Sequence, residues 1–348
     1  MTEPVISDDP PRFPALLWRR GEWRSRYRAQ APLSGDGAVD EAGFVPVGEI
    51  EQWRTLRGED RSLPLLVVVH GGPGAPCSVL TPRLRAWERR FVVLQWDQPA
   101  AGKTLARSPG LPAAALSFER IARDGVELVR ATLGRLGQRR AVLLGSSAGT
   151  IVALHMLRAA PTLFLAFVGA DLNVGRDRDG EGLRWVATVL RRAGSGALAR
   201  KLEALGPDSA SWTRAQFDWR NRALVGAVPG VPHMVKDLLL PAMLTAPTHD
   251  LRDVRDILRG LGRSFAALHG QLQSFEAAAL GLDFDQPFFV VQGALDLLTP
   301  PPPARRYFEA VRAPAKTFVE LEGLGHLAAF FRPDLLLDLL ETQVLPHT

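Results

Sequence analysis

The spacing of apolar residues changes several times along the chain, and each change marks a different kind of element. Over residues 43–57 apolar and polar positions alternate (Phe44, Val45, Val47, Ile50, Trp53), which predicts short antiparallel strands. Residues 64–69 are instead continuously apolar and rich in β-branched side chains, and they run into His70-Gly71-Gly72-Pro73-Gly74. That pattern predicts a strand buried on both faces and a tight loop after it. Residues 91–96 repeat it and end at Asp97-Gln98-Pro99. Residues 118–136 place Ile121, Val126, Val129, Leu133 and Leu136 at helical spacing, 141–144 read as strand, and 150–160 as a helix stopped before Pro161. Strand alternating with helix implies right-handed crossovers and a parallel sheet, where ligand chemistry gathers at the carboxyl ends of the strands.

Residues 164–170 predict a further strand, after which the strand pattern is absent over residues 174–283. Segments 183–193, 197–205 and 265–280 have helix-forming composition and apolar spacing, broken by Gly, Pro and Ser. Strand character returns at 287–292 and 317–321, and a closing helix is expected over 333–345. The organisation predicted is an extension over 1–42, an α/β core over 43–173 and 284–348 with a mostly parallel central sheet, and an inserted helical cap over 174–283.

Bulk properties narrow the classes. A chain of 348 residues that is 46% hydrophobic builds a large core, and one large domain with an insertion accounts for that length. The net charge of +5 comes from Arg residues scattered among Asp and Glu, a solvated surface rather than a nucleic-acid footprint. Cys77 is the sole cysteine, which excludes an intramolecular disulfide or a multi-thiolate zinc site, and a buried spectator thiol is expected. There is no apolar leader and no long apolar run, so the expectation is a soluble, cytoplasmic protein without stable membrane insertion. The first forty or so residues, with Trp18 and Trp23 among several Arg, read as a packed or partly disordered extension rather than a membrane-surface arm.

The candidate chemistry lies where the predicted strands end. Residues 141–144 lead into Gly145-Ser146-Ser147-Ala148-Gly149, a G-x-S-x-G turn between strand and helix that nominates Ser147 as a nucleophile. A serine there sits on a strained turn, where side chains at Gly145 or Gly149 would collide with neighbouring backbone, and the following helix aims free N–H groups at developing negative charge. Such a serine needs a base to take its proton and a carboxylate to fix that base's tautomer. Asp296 follows the strand at 287–292 in Gly293-Ala294-Leu295-Asp296, and His326 follows the last strand in Gly323-Leu324-Gly325-His326. Both therefore fall on the sheet edge that carries Ser147. Asp171, Asp283 and Asp285 are competing acids; Asp296 is preferred because its Gly-x-x-Asp loop presents the carboxylate at a strand end. The N–H groups of Ala148 and Gly72 are the expected oxyanion donors, with His70 bracing the glycine loop.

HGGPG at 70–74, WDQ at 96–98 with Gly102, GSSAG at 145–149, GALDLLTP at 293–300 and GLGH at 323–326 resemble the proline iminopeptidase branch of the α/β-hydrolase superfamily. The resemblance covers residues 44–173 and 283 onward, with the helical cap where that family has one. It implies an α/β-hydrolase fold, Ser147, Asp296 and His326 as a triad, an oxyanion hole at Gly72 and Ala148, no metal or other cofactor, and N-terminal proline peptides, other small amides and esters as substrates.

The chain also departs from that family. Ala148 stands where the family usually has Trp, which leaves more space near the acyl pocket, and Pro99-Ala100 replace an Arg-Gly pair. Where aminopeptidase members hold the substrate ammonium with a Trp-Glu pair, this chain has Trp219-Arg220, and a cation there repels an ammonium. Asp218, Glu181 or Asp179 are the substitutes that the cap offers, so the candidate substrate-binding residues are Asp218, Trp219, Arg220 and Glu181. Three functions stay open: a proline iminopeptidase-like serine hydrolase of small amides or esters, an esterase or tailoring acyltransferase for a hydrophobic metabolite, and a non-catalytic binding protein. Gly102-Lys103-Thr104 resembles the end of a phosphate loop, but Asp97 stands where that pattern needs glycine. For the hydrolase, activity is expected to rise with pH as His326 loses its proton, through an apparent pKa near neutrality.

Overall fold

The computed structural model describes residues 15–33 and 35–347. Its strands are β1 (Val39–Val47), β2 (Ile50–Gly58), β3 (Leu65–Val69), β4 (Val92–Trp96), β5 (Ala141–Ser146), β6 (Phe164–Ala170), β7 (Phe288–Gly293) and β8 (Lys316–Leu321). They form one sheet in the order β1-β2-β4-β3-β5-β6-β7-β8. From β4 to β8 every neighbouring pair is parallel, and only β2 runs against the rest. β1 and β2 meet at Val47↔Ile50 across a two-residue turn whose first position, Gly48, has φ 60°, as such hairpin turns require.

β3, β4, β5 and β7 are buried at every position because helices cover both sheet faces. Within β3 the side chains divide by parity: Leu65, Val67 and Val69 join one apolar cluster, Leu66 and Val68 the other. Each such side chain contributes about 1.5–3 kcal/mol of burial. Flanking and connecting the strands are α1 (Ala15–Gln30), α2 (Gly102–Arg107), α3 (Phe118–Leu136) and α4 (Ala148–Ala159). Between β6 and β7 lie the helices of the predicted cap: α5 (Glu181–Arg192), α6 (Gly196–Glu203), α7 (Arg214–Leu224), α8 (Leu240–Thr245) and α9 (Leu251–Ser274). After β7 come α10 (Pro301–Ala310), α11 (Ala328–Phe331) and α12 (Pro333–Leu339).

Three expectations are revised. β1 begins at Val39, inside the extension expected over 1–42, because polar residues pair it to β2: Asp40 with Arg57, and Glu41 with Arg54 at 2.6 Å. The helix expected over 265–280 is the second half of α9, which starts at Leu251 behind the N-cap Asp250, where a capping box with Asp253 satisfies its first N–H groups, and stops before the extended Phe275. The closing helix ends at Leu339 and continues as a wider turn over Leu340–Val344.

The described part of the extension is packed: Leu16, Trp23 and Tyr27 of α1 are buried beside Leu244 of α8, and Arg20 and Arg24 donate to Leu244 O at 2.9 Å and Ala246 O at 2.6 Å. Residues 1–14 of that extension lie outside the described residues. Among the described residues no helix is long and apolar enough to cross a membrane.

Candidate active site

Ser147 joins β5 to α4 with φ 54° and ψ −126°, a conformation that L residues rarely adopt. Two observations explain the glycines around it. A Cβ on Gly149 would lie 2.2 Å from Val69 O, and one on Gly145 would lie 2.9 Å from Gly149 O. The Ser147 N–H is held by Ala170 O at 2.9 Å, so β6 fixes the turn from the other side.

His326 and Asp296 arrive from the loops after β8 and β7. The Ser147 hydroxyl donates to His326 Nε2 at 2.9 Å, and His326 Nδ1 donates to Asp296 Oδ2 at 2.7 Å. The carboxylate accepts only, which assigns the proton between them to Nδ1. Asp296 is fully buried but well solvated by protein: Oδ1 accepts from Leu298 N at 2.8 Å and Thr299 N at 3.0 Å, and Oδ2 from Thr299 Oγ1 at 2.7 Å and Gln292 Nε2 at 3.1 Å. Burial alone pushes this carboxyl up, but the facing His326 and the Thr299 donors outweigh it and hold Asp296 below its ordinary 3.8. Burial likewise pushes His326 down, while the charge and hydrogen bond of Asp296 dominate and leave it at about 9. That is higher than the near-neutral value expected from the sequence, because the paired carboxylate is dry.

The glycine loop after β3 closes over the serine. A Cβ on Gly71 would lie 2.9 Å from Ser147 Cβ and 3.2 Å from Ala148 N, so Gly71 makes the closest approach, with Gly72 at φ 109° beside it. His70 braces this loop: Gln98 N donates to its Nε2 at 3.2 Å, which puts the proton on Nδ1, facing Gly71 O at 2.9 Å. Burial drives His70 down to about 4, so it is a neutral strut.

Ser147, Ala148, Gly71, Gly72 and His326 open on a cavity of about 380 Å³ walled mainly by apolar side chains of the core and of the cap, among them Leu80, Phe330, Phe217, Phe265 and Leu272. Arg220 and Arg222 line it, and none of its described lining residues is Asp or Glu. Cys77 also faces it, with a thiol that burial and the Asp97 charge push up to about 12. A second chamber of about 110 Å³ adjoins it through Asn173, Phe217, Arg220, Leu272, Leu298 and Thr299, and Asp177 lines that chamber.

Of the four cap residues nominated for substrate, one reaches the cavity. Arg220 is half-buried and donates to Leu297 O at 2.9 Å and Leu298 O at 3.2 Å, tying α7 to the loop that carries Asp296. Burial lowers it to about 10. Asp218 faces Arg214 at 3.7 Å, Glu181 pairs with Arg306 at 2.8 Å, and Trp219 packs into the apolar interior of the cap. Asp179 also faces Arg306, at 3.6 Å. The expected acidic ligands are thus spent in ion pairs, and none of Asp179, Glu181 and Asp218 lines the cavity at Ser147. Lys103 of the rejected phosphate loop pairs with Asp253 at 3.0 Å.

Sequence reasoning passed over Thr299, Gln292 and Gly71. The first was legible, since Asp296-Leu297-Leu298-Thr299 is an Asx-type turn with a hydroxyl three residues on. Gln292 is a polar residue in a buried strand, which needs an explanation of its own. Asp171, Asp296 and His326 also offer ligand atoms within 4.8 Å of one another. The direct bond between His326 and Asp296 turns two of those groups toward each other rather than toward a shared ion.

A mostly parallel sheet with a serine elbow after β5 and a helical insertion after β6 defines the α/β-hydrolase class. The chain belongs to the alpha/beta hydrolase family, whose profile matches residues 66–339, and it is a hydrolase. It is 24% identical over 308 residues to a Bacillus subtilis (strain 168) protein named probable aminopeptidase YbaC, covering 87% of this chain and 96% of that one. A proline iminopeptidase-related protein of Thermus thermophilus superposes with a TM-score of 0.56 at 23% identity, over 89% of this chain and 100% of that one. A thermophilic esterase of Thermogutta terrifontis gives 0.52 at 18% identity, over 88% and 99%. The fold thus resembles the proline iminopeptidase branch and is shared with esterases.

Proposed function

We propose that the chain is a serine hydrolase that cleaves esters, and small amides, of apolar acyl groups through an acyl-enzyme. The observation that carries this reading is the unbroken hydrogen-bonded chain from Ser147 Oγ through His326 to buried Asp296, opening on an apolar cavity with no described carboxylate in its lining. Ser147 Oγ attacks the acyl carbon while its proton passes to His326 Nε2, and Asp296 stabilises the imidazolium. The negative oxygen that forms lies by the N–H of Ala148 at the start of α4 and by the Gly71-Gly72 loop, where losing one donor costs on the order of a hundredfold to a thousandfold in rate. His326 then protonates the leaving group, and water repeats the sequence to release the acid.

An iminopeptidase reading is favoured by one observation, the Asp177 carboxylate on the second chamber. Its oxygens already accept from Glu181 N at 3.1 Å and Leu183 N at 3.2 Å, and Arg220 lies on the same chamber. Both weaken it as an ammonium site, and the ester reading is preferred. A fluorophosphonate probe is expected to label wild type at Ser147, with Ser147→Ala abolishing both labelling and turnover. Butyryl esters are expected to turn over at least about tenfold faster than a prolyl arylamide, since a cation at the site disfavours the free amine. A folded wild type that resists the probe overturns the hydrolase mechanism; faster prolyl arylamide cleavage overturns the ester preference alone.

A further inference from the structure

One carboxylate beside His326 has no part in the reaction as drawn so far. Asp171 follows β6, is fully buried and adopts φ 54°, and its N–H donates to Val291 O at 2.9 Å, which fixes it at the strand end. Among the described residues neither of its carboxylate oxygens has a hydrogen-bond partner of good geometry. Burying an acceptor in that state is costly, and only the amides of Ala328 and Leu327 nearby offset part of that cost. Its oxygens lie within 4.8 Å of ligand atoms on both Asp296 and His326. Gln292 ties the two carboxylate loops together: its Oε1 accepts from Leu172 N at 2.9 Å, while its Nε2 donates to Asp296 Oδ2 at 3.1 Å. Burial pushes Asp171 up to about 7; the facing His326 draws it down, Asp296 pushes it up, and the amides of Ala328 and Leu327 favour its charged form.

We infer that Asp171 is a positioning residue, a second carboxylate that faces the His326 imidazole, stabilises the imidazolium, and holds the ring in working orientation when Asp296 is removed. This rests on the serine hydrolase reading. In the acylation step the Ser147 O–H bond breaks as Oγ bonds to the acyl carbon, and the proton goes to His326 Nε2. The new cation lies against Asp296 and Asp171, with Arg220 opposing it. Asp171 exchanges no proton with substrate and acts only through the ring. An opposite charge at this range raises a histidine, so neutralising Asp171 lowers the affinity of His326 for its proton and moves the acid limb of activity to lower pH.

The test is the second-order rate of Ser147 labelling by a fluorophosphonate from about pH 5 to 10, which needs no knowledge of the substrate. It is measured for wild type, Asp171→Asn, Asp296→Asn and the double variant, each checked for cooperative unfolding. The wild-type acid limb is expected above the ordinary histidine value of 6.5. Asp171→Asn is expected to lower its midpoint by about 0.5–2 units, and Asp296→Asn to label at least about tenfold faster than the double variant. A structural role for Asp171 would change the rate at every pH without moving the midpoint. An unmoved midpoint, or an Asp296→Asn rate equal to that of the double variant, overturns the inference. If Asp171→Asn does not fold, Asp171→Ser gives the same two readouts. A wild type that does not label at all condemns the hydrolase reading itself.

Discussion

The loops at the strand ends and the cap above them meet at one cavity, yet they hold their residues in different ways. At the strand ends position is dictated by backbone: Ser147 is held at φ 54° by its bond to Ala170 O, Gly149 sits against Val69 O, and Asp296 is clasped by the N–H groups of its own loop. In the cap, position depends on which way a helix face turns. Asp218 and Glu181 occupy plausible sequence positions and end in ion pairs with Arg214 and Arg306. Backbone-dictated sites tolerate no change of shape, while face-dictated sites tolerate change of shape and alter preference.

The sharpest way to break that contrast is Gly149→Ala. The added methyl would need to occupy space 2.2 Å from Val69 O and 2.6 Å from His70 O, both backbone atoms that cannot swing aside. Overpacking of this kind costs about 1–3 kcal/mol, and the displacement of Ser147 that relieves it is expected to lower kcat/KM at least about a hundredfold. Denaturant melts and ester kinetics check both. A variant within about threefold of wild type would mean that the elbow is not held by its backbone after all.

How much of this was legible in the sequence follows the same division. The elbow, the glycine loop and the acid and base loops each carry glycines or an Asx turn whose backbone demands leave marks in the letters, and they fell at strand ends predicted from apolar runs. Gly71 was assigned no role because two adjacent glycines look alike until the Ser147 Cβ is seen 2.9 Å from one of them. Asp171 was weighed as a competing acid and set below Asp296, because its nearness to both Asp296 and His326 comes from β6 lying beside β7 and from the loops beyond them, which no local pattern encodes. The cap carboxylates were misdirected because rotation about a helix axis by one position exchanges a cavity-facing residue for one beside an arginine. The start of α9 lay in a polar capping box rather than in the apolar spacing.

Ala148 crosses the division, since it opens α4 directly after Ser147 and also lines the cavity shared with the cap. Ala148→Trp is therefore expected to leave Ser147 reactive and to change what it accepts. The indole fills part of the cavity of about 380 Å³, between Ser147 and the aromatic side chains Phe217 and Phe265. For acetyl esters kcat/KM is expected to change by less than about threefold, whereas for octanoyl esters it falls about tenfold or more, the scale set by losing several methylene contacts. An equal loss across chain lengths would place Ala148 wholly with the backbone-dictated group.

The smallest effects test the contrast in stability rather than rate, with a reciprocal pair. Ala100, in the loop after β4, has φ 64°, and its carbonyl accepts from Ser264 Oγ at 3.2 Å, so the loop keeps that strained conformation to meet α9. Gly262 lies within α9 itself, with nothing within 4 Å of where a Cβ would go. Ala100→Gly relieves about 1–2 kcal/mol of left-handed strain and loses about 0.4–1 kcal/mol through a freer unfolded chain, a net gain of about 0.5–1 kcal/mol. Gly262→Ala gains a similar amount for the opposite reason, since the helix already supplies the conformation and alanine removes only unfolded-state freedom. In a chain of this size each should raise Tm by about 1–3 °C, readable by calorimetry at one pH. The two gains should add in the double variant only if the Ser264 contact survives at residue 100, because that bond is what carries strain in the core loop to the helix of the cap.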